Sequence, residues 1–246
     1  MSELKKLTDK ITKNTDMYSK ENIEKSIFLE SKKKSTKTPI LYFLESELEN
    51  IKTGFSKGTL EDLKATPLFE KRSLLEYLPS QRHPIPYCVV RCKKEEKYFL
   101  IFRENGSGET RLIGKKGLLG GHIDEADKVF LTSNTPDKVN GNGFVNTKVD
   151  VIKTIENGLY RELEEEANLT KDIIEDISLI GFIKITEDGC VENDHLGLIY
   201  LIDVPNTNLT AVEEGVLSGD WFTKEEILDM KPSLERWTKL AFDNIL

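Results

Sequence analysis

The segment Arg161–Glu166, Arg-Glu-Leu-Glu-Glu-Glu, concentrates four carboxylates on one predicted helix. At 100° per residue, four apolar side chains lie within about 40° of one line and define the buried stripe of that helix: Ile152, Ile155, Leu159 and Leu163. Glu166 falls on the same stripe, Glu162 lies beside it, and Glu165 comes next on the same side. Glu164 points elsewhere and is predicted to be solvated.

Three carboxylates on a face turned toward the core need a positive partner. A buried carboxylate costs several kcal/mol unless a cation compensates it, and neighbouring carboxylates raise each other's pKa. Arg161 can pair with Glu165 four residues along the helix, but it lies well away from Glu166. A hard divalent ion such as Mg²⁺ would compensate the others, because it prefers a few carboxylates together with water and phosphate oxygens. The alternative is an exposed acidic helix face, and the helix alone does not decide between the two.

The same residues carry a family resemblance. Gly120-Gly121, followed by the segment Arg161–Leu169, resembles the Nudix box, whose pattern is Gly, five residues, Glu, seven residues, then Arg-Glu-aliphatic-any-Glu-Glu-any-Gly-aliphatic. The Arg-Glu-Leu-x-Glu-Glu core matches completely. Asn168 replaces the final Gly, a mild change because both residues tolerate a left-handed backbone.

The larger departure from the pattern is 26 extra residues between Gly121 and Arg161. Counting forward from Gly121 places Asp127 at the first acidic position of the box, whereas counting back from Arg161 places Lys153 there. Asp127 keeps the acid if the insertion follows it.

Four further segments resemble a bacterial Nudix subgroup of predicted phosphoesterases: Ile85–Tyr87, Gly108–Leu112, Gly120–Ile123 and Leu234–Trp237. This resemblance covers residues 77–246 and implies an α/β class fold, the Nudix α/β/α sandwich with a mixed β-sheet. Residues 77–246 are therefore predicted to form a Nudix hydrolase domain with an insertion at about 125–148. Residues 1–76 are predicted to form a helical, Lys-rich N-terminal region of unknown role.

The resemblance implies a hydrolase, a pyrophosphatase-type enzyme that cleaves a phosphoanhydride bond in a nucleoside-diphosphate-linked molecule, with Mg²⁺ or Mn²⁺ as cofactor. The metal ligands that it implies are Glu162, Glu165, Glu166 and the backbone carbonyl of Gly120. Catalytic roles are assigned to Glu162, Glu165, Arg161 and Glu214, with Arg161 orienting a glutamate and Glu214, next to Glu213, activating water or adding a ligand. Arg103 and Arg111 could hold phosphate oxygens through their forked donors, although both fit ordinary surface arginines equally well. His122 and His195 could serve acid–base chemistry, but hydrogen-bonded structural histidines are commoner, so neither is included among the catalytic residues.

The elements that must position these residues follow from local patterns. Short β-rich runs separated by a charged stretch predict a hairpin, Tyr87–Cys92 with Tyr98–Phe102. The acidic helix is predicted over Asp150–Ala167, with Asn168 ending it in the left-handed conformation. Further strands are predicted at Leu179–Ile185 and Leu196–Val204, and helices at Lys224–Met230 and Pro232–Leu246. Helix-like spacing also marks one part of the N-terminal region: Ile40, Leu41, Phe43, Leu44 and Leu48.

Composition excludes several classes of function. The 246 residues carry a net charge of -8, which disfavours broad nonspecific binding to nucleic acid, so that a nucleic acid is expected only as a capped or modified substrate. No run approaches the ~18 apolar residues of a membrane span, and no signal-peptide segment follows the first residues, so a cytoplasmic location is expected. Three cysteines, Cys88, Cys92 and Cys190, lack the spacing of a zinc site and are expected to be reduced. A homodimer is compatible with the composition.

Two alternatives to the hydrolase are left open. A non-catalytic Nudix-fold protein could sense a nucleotide and act through its N-terminal region, although a sensor has no need of the full set of acids. An isopentenyl-diphosphate isomerase shares the fold but uses a catalytic cysteine, and none of the three cysteines has the expected setting.

Overall fold

A mixed sheet with nine strands in the described residues forms the centre of the molecule. The computed structural model describes residues 38–76, 78–103, 112–131, 148–187, 191–211 and 217–246. The strands are β1 (Pro39–Leu44), β2 (Gly54–Ser56), β3 (Leu68–Lys71), β4 (Gln81–Cys92), β5 (Lys97–Arg103), β6 (Lys116–Gly117), β7 (Asp176–Lys184), β8 (His195–Asp203) and β9 (Leu217–Thr223). The helices are α1 (Arg72–Leu75), α2 (Val151–Ala167), α3 (Lys224–Asp229) and α4 (Arg236–Ile245), with short 3₁₀ turns between elements.

The strand order is β2-β7-β8-β4-β1-β3, and β5 extends the sheet from β4 by pairing with β6 and β9. β4 and β8 run parallel, with His83 opposite His195 at one end and Arg91 opposite Asp203 at the other. The other strand pairs are antiparallel, and β4 and β5 form the predicted hairpin across a four-residue turn.

Helices cover both faces of the sheet. Alternate residues of β4 point to opposite faces, as the two-residue period of a strand requires. Cys88 and Val90 pack in the cluster that contains Leu159 and Leu163 of α2. On the other face, Ile85, Tyr87 and Val89 pack in the cluster that contains three residues of α4: Trp237, Ala241 and Phe242. The predicted α/β class with a mixed sheet between helices is confirmed.

The predicted α2 is confirmed at both ends. The Asp150 carboxylate accepts the Lys153 backbone N–H at 3.1 Å and caps the first turn, and Asn168 ends the helix at φ 49°. None of the helices in the described ranges combines the length and the apolar character needed to cross a bilayer.

The helical prediction for the N-terminal region is wrong where the structure describes it as β1. Ile40, Leu41 and Phe43 are buried in that strand, which pairs with β3 and β4. A short, almost continuous apolar run fits a strand buried on both faces as well as a helix turn, and here two neighbouring strands supply backbone hydrogen bonds along it. Residues 1–37, including the lysine-rich run, lie outside the described part of the chain.

Candidate active site

The two ends of the insertion within the box lie next to each other and are joined by backbone hydrogen bonds. Phe130 forms an antiparallel bridge with Val149, and the backbone N–H of Leu131 donates to the carbonyl of Lys148 at 2.8 Å. The Asp150 N–H donates to the Val129 carbonyl at 2.8 Å, immediately before α2. The extra residues therefore follow Asp127, and the glycine end of the box and the acidic helix meet in space.

Asp127 takes the first acidic position of the box. It ends the 3₁₀ turn Glu125–Asp127, is 6% exposed, and accepts the backbone N–H of Asp124 at 2.8 Å. Its two oxygens face Arg161 of α2, at 3.0 Å from Nε and 2.9 Å from Nη2. The other sequence candidate, Lys153, is exposed on the first turn of α2.

Arg161 links the acids to the loop after the glycines. Its Nη1 donates to Glu162 at 2.7 Å and to Glu165 at 3.1 Å, and its Nη2 donates to the backbone carbonyl of His122 at 2.8 Å. Burial lowers the pKa of Arg161, but its hydrogen bonds to Asp127 and the charge of Glu162 outweigh this effect and raise the pKa above its ordinary value. The guanidinium is thus engaged by protein oxygens, an arrangement suited to orienting glutamates.

The two glycines accommodate the glutamates of α2. A Cβ on Gly121 would lie 2.2 Å from Glu162 Oε2, so the missing side chain leaves the space that the Glu162 carboxylate occupies. The backbone N–H of Gly120 donates to Glu166 at 2.8 Å. Gly120 has φ 146°, and a Cβ there would lie 1.9 Å from the Pro86 carbonyl oxygen. Only glycine can bring the backbone this close to β4 while its amide holds Glu166.

The carboxylates of α2 differ in burial. Glu162 is 15% exposed in its side chain, whereas Glu165 is 61% exposed at the helix surface. Glu166 is partly buried, and Glu164 is exposed as its position on the helix predicted.

Negative charge exceeds positive charge around Arg161. Burial raises the pKa of Glu162 to about 7, Arg161 opposes that rise, and the charges of Glu165 and Asp124 add to it. Burial likewise raises the pKa of Asp124. Arg161 also neutralises much of the negative charge of Asp127, so one guanidinium compensates several carboxylates. An added cation would relieve the remaining repulsion between them.

The residues present fit a hard divalent ion. The donors are carboxylate oxygens together with the Gly120 backbone, and the Gly121 gap leaves the Glu162 carboxylate against the loop instead of against a side chain. Among the described residues, these glutamates do not form a closed set of converging ligand atoms. Mg²⁺ and Mn²⁺ do not require such a closed set, because they bind through one or two carboxylates and take their other ligands from water and substrate phosphate.

Several predicted site residues are not described by the structure. Arg111, Glu213 and Glu214 lie outside the described residues, and Arg103 is described only through its backbone, paired with Leu217 in β5 and β9. Their assignments as phosphate-binding or water-activating residues remain predictions.

The described cysteines are buried thiols. Cys88 and Cys92 are free and inaccessible, and Cys190 lies outside the described residues. Burial raises the pKa of Cys88 well above its usual range, and the charges of Glu166 and Glu162 raise it further. A thiol held protonated in this way is a poor nucleophile, which weighs against the isomerase alternative.

Sequence reasoning overlooked Asp124 and His83. Asp124, three residues before Asp127, forms a capping box with it, and the spacing Asp-x-x-Asp could have indicated this. His83 lies in β4 beside the two histidines that the sequence did single out, and only the strand register shows this proximity.

Comparison with known proteins agrees with this geometry. The family model of the NUDIX domain matches residues 122–241. Protein YmaB of Bacillus subtilis (strain 168) is 27% identical over 177 residues, covering 70% of this chain and 75% of YmaB. The crystal structure of Tm1382, provisionally assigned as a Nudix hydrolase, superposes with a TM-score of 0.62 at 20% identity and covers 85% of this chain and 98% of Tm1382, which supports the fold. The match to the NUDIX domain and the box residues that meet in the structure, Asp127 and Arg161, together identify residues 122–241 as a NUDIX domain.

Proposed function

We propose that this protein hydrolyses a phosphoanhydride bond in a small nucleoside-diphosphate-linked substrate, with Mg²⁺ or Mn²⁺ as cofactor. The observation that carries the proposal is the buried Glu162 carboxylate, seated in the gap at Gly121 within an excess of negative charge that Arg161 alone does not balance. A polyphosphate substrate brings further negative charge to the same place, so hydrolysis requires a cation there.

Glu162, Glu165, Glu166 and the Gly120 carbonyl would hold the metal. A metal at this position would withdraw charge from phosphate oxygens and lower the pKa of a bound water. The chain's own contribution is to fix the carboxylates: the Gly120 N–H donates to Glu166, and Arg161 donates to Glu162 and Glu165. Asp127 in turn orients Arg161 through its two-point contact.

Glu162 and Glu165 would act as ionised carboxylates that bind the metal, and Arg161 would orient them. Glu214 is proposed to activate water or to add a ligand, and Arg103 and Arg111 are proposed to bind substrate phosphates.

The test compares the wild type with Glu166→Gln and with the matched control Glu164→Gln on the exposed side of the same helix. Each protein is incubated with Mg²⁺ or Mn²⁺ and a panel of substrates: dinucleoside polyphosphates, nucleotide sugars, ADP-ribose, NADH, oxidised dNTPs and capped RNA. Products are separated by chromatography, and ³¹P NMR in ¹⁸O-labelled water identifies the phosphorus that receives the oxygen.

At least one compound should be hydrolysed by the wild type and by Glu164→Gln, and Glu166→Gln should lower kcat/KM at least about 100-fold. Equal activity of Glu166→Gln and wild type would refute the assigned site. Binding of a panel compound without turnover by any variant would support the sensor alternative and overturn the hydrolase.

A further inference from the structure

The protein contains three histidines, and all three meet at one place. His83 in β4 and His195 at the start of β8 are opposite each other in the parallel register, and His122 follows the glycine pair. The ring centroids lie 5.1 Å apart for His83 and His195, 5.6 Å for His83 and His122, and 5.4 Å for His122 and His195. One ring nitrogen of each comes within 4.8 Å of the others.

Two of these rings have nitrogens without hydrogen-bond partners. His83 is completely buried, and neither of its ring nitrogens has a partner in the described structure. Nε2 of His122 is also buried without one. A buried polar atom without a partner costs on the order of 1–3 kcal/mol, so three such nitrogens in one cluster indicate a missing ligand.

The ring of His83 is held in the neutral form that ligates metals. Burial lowers the pKa of His83 to about 3, with further lowering by His195, Arg72 and Arg82 and a rise from Asp194. Each neutral imidazole has one nitrogen lone pair available.

Asp194 orients the third ring. Its carboxylate lies 2.5 Å from Nδ1 of His195 and is itself buried, so a proton on Nδ1 would face Asp194 and would leave the lone pair on Nε2. A carboxylate behind a histidine is the usual outer contact of metal-ligating imidazoles, because it fixes the tautomer and strengthens the ligand.

The nearby arginine charges are compensated by protein groups. Arg82 donates to Glu45, to the Ile185 carbonyl at 2.7 Å and to Asn193 at 3.1 Å. Arg72 pairs with Glu76 at 2.6 Å. Their charge therefore opposes an incoming cation less than their position alone would imply.

We propose that His83, His122 and His195 form a binding site for a divalent transition metal of the Zn²⁺ class. Three imidazoles favour Zn²⁺ and similar ions over Mg²⁺, which prefers oxygen ligands, and three protein ligands leave a position for water. Zinc–nitrogen distances of about 2.0–2.1 Å place the nitrogens of a tetrahedral site about 3.4 Å apart, so these nitrogens would move together by up to about 1.5 Å on binding. This site is distinct in chemistry from the carboxylate site, to which it is joined by the His122 carbonyl that Arg161 holds.

The experiment titrates the full-length, chelator-treated protein with Zn²⁺ and with Co²⁺ in the absence of substrate. Calorimetry and elemental analysis give the stoichiometry, and the visible bands of bound Co²⁺ report the ligand type and geometry. The variants are His122→Phe and His195→Gln, with Glu166→Gln as the control that alters the carboxylate site. Circular dichroism and thermal unfolding check that each variant is folded.

The wild type and Glu166→Gln should share one Zn²⁺ site per chain that gives the Co²⁺ spectrum of nitrogen ligation, and both histidine variants should weaken binding at that site at least about 100-fold. NMR of the ring nitrogens in the wild type should show all three rings shifting on Zn²⁺ addition, which tests the proposal even if a histidine variant fails to fold. Absence of binding by the wild type, binding unchanged in the histidine variants, or binding abolished by Glu166→Gln with unshifted histidine rings would each overturn it.

Discussion

Replacement of Glu162 by Gln should stabilise the metal-free protein in a pH-dependent manner. The folded protein raises the pKa of this carboxyl from 4.5 to about 7, mainly through burial. Between those two pH values the folded state retains a proton that the unfolded state has lost, so wild-type stability falls as pH rises and the loss is complete above about pH 7. At 1.36 kcal/mol per pKa unit, the wild type loses roughly 2–3 kcal/mol between pH 5 and pH 8 through this group.

Glutamine keeps an oxygen for Arg161 but does not titrate, so it avoids this loss. The free energy of unfolding of Glu162→Gln relative to wild type should therefore rise by roughly 2–3 kcal/mol from pH 5 to pH 8, measured by urea unfolding in the presence of a chelator. Glu164→Gln is the control, since that exposed side chain should show no such pH-dependent difference from wild type.

The same unfolding measurement with added Mg²⁺ should give the opposite order of stabilisation. At pH 8 the ion should stabilise the wild type more than Glu162→Gln, because it binds the ionised carboxylate. A stability difference between variant and wild type that is the same at pH 5 and pH 8 would refute the assignment of a raised pKa to Glu162.

Three further substitutions test the surrounding contacts. Asp127→Asn should lower the free energy of unfolding, measured with urea, by about 2 kcal/mol, because the partly buried Arg161 loses the carboxylate that binds it at two points. A decrease below about 0.5 kcal/mol would contradict the role of Asp127 as the partner of Arg161. Gly121→Ala should lower kcat/KM at least about tenfold with little change in Tm, because the new Cβ displaces the flexible end of the Glu162 side chain. Unchanged kinetics would show that activity does not need the space that the glycine leaves for Glu162. Asn168→Ala should lower the free energy of unfolding by about 1 kcal/mol, because residue 168 has φ 49° and alanine is strained there. Asn168→Gly should be neutral or mildly stabilising, because glycine adopts that backbone conformation freely. Equal unfolding curves for the two variants would argue against the left-handed helix end.

Much of the sheet and the acidic helix could be predicted from local pattern. The β4–β5 hairpin, α2 with its cap at Asp150 and its end at Asn168, and strands β7 and β8 all occur where hydrophobic periodicity and turn residues placed them. The exposure of Glu164 followed from helix geometry alone. Local spacing did not predict β1, because its apolar run fits either a helix turn or a strand until neighbouring strands supply its hydrogen bonds.

The sequence by itself determined the chemistry of the carboxylate site: the Arg-Glu-Leu-x-Glu-Glu order fixes which acids share a helix face, because the helical period is intrinsic to the backbone. The tertiary structure decided which distant residues complete it. Asp127 rather than Lys153 meets Arg161 because the insertion closes on itself after Asp127, and the three histidines converge because β4 and β8 pair in parallel register. Neither contact has a local signal, since each depends on where separate segments of the chain pack together.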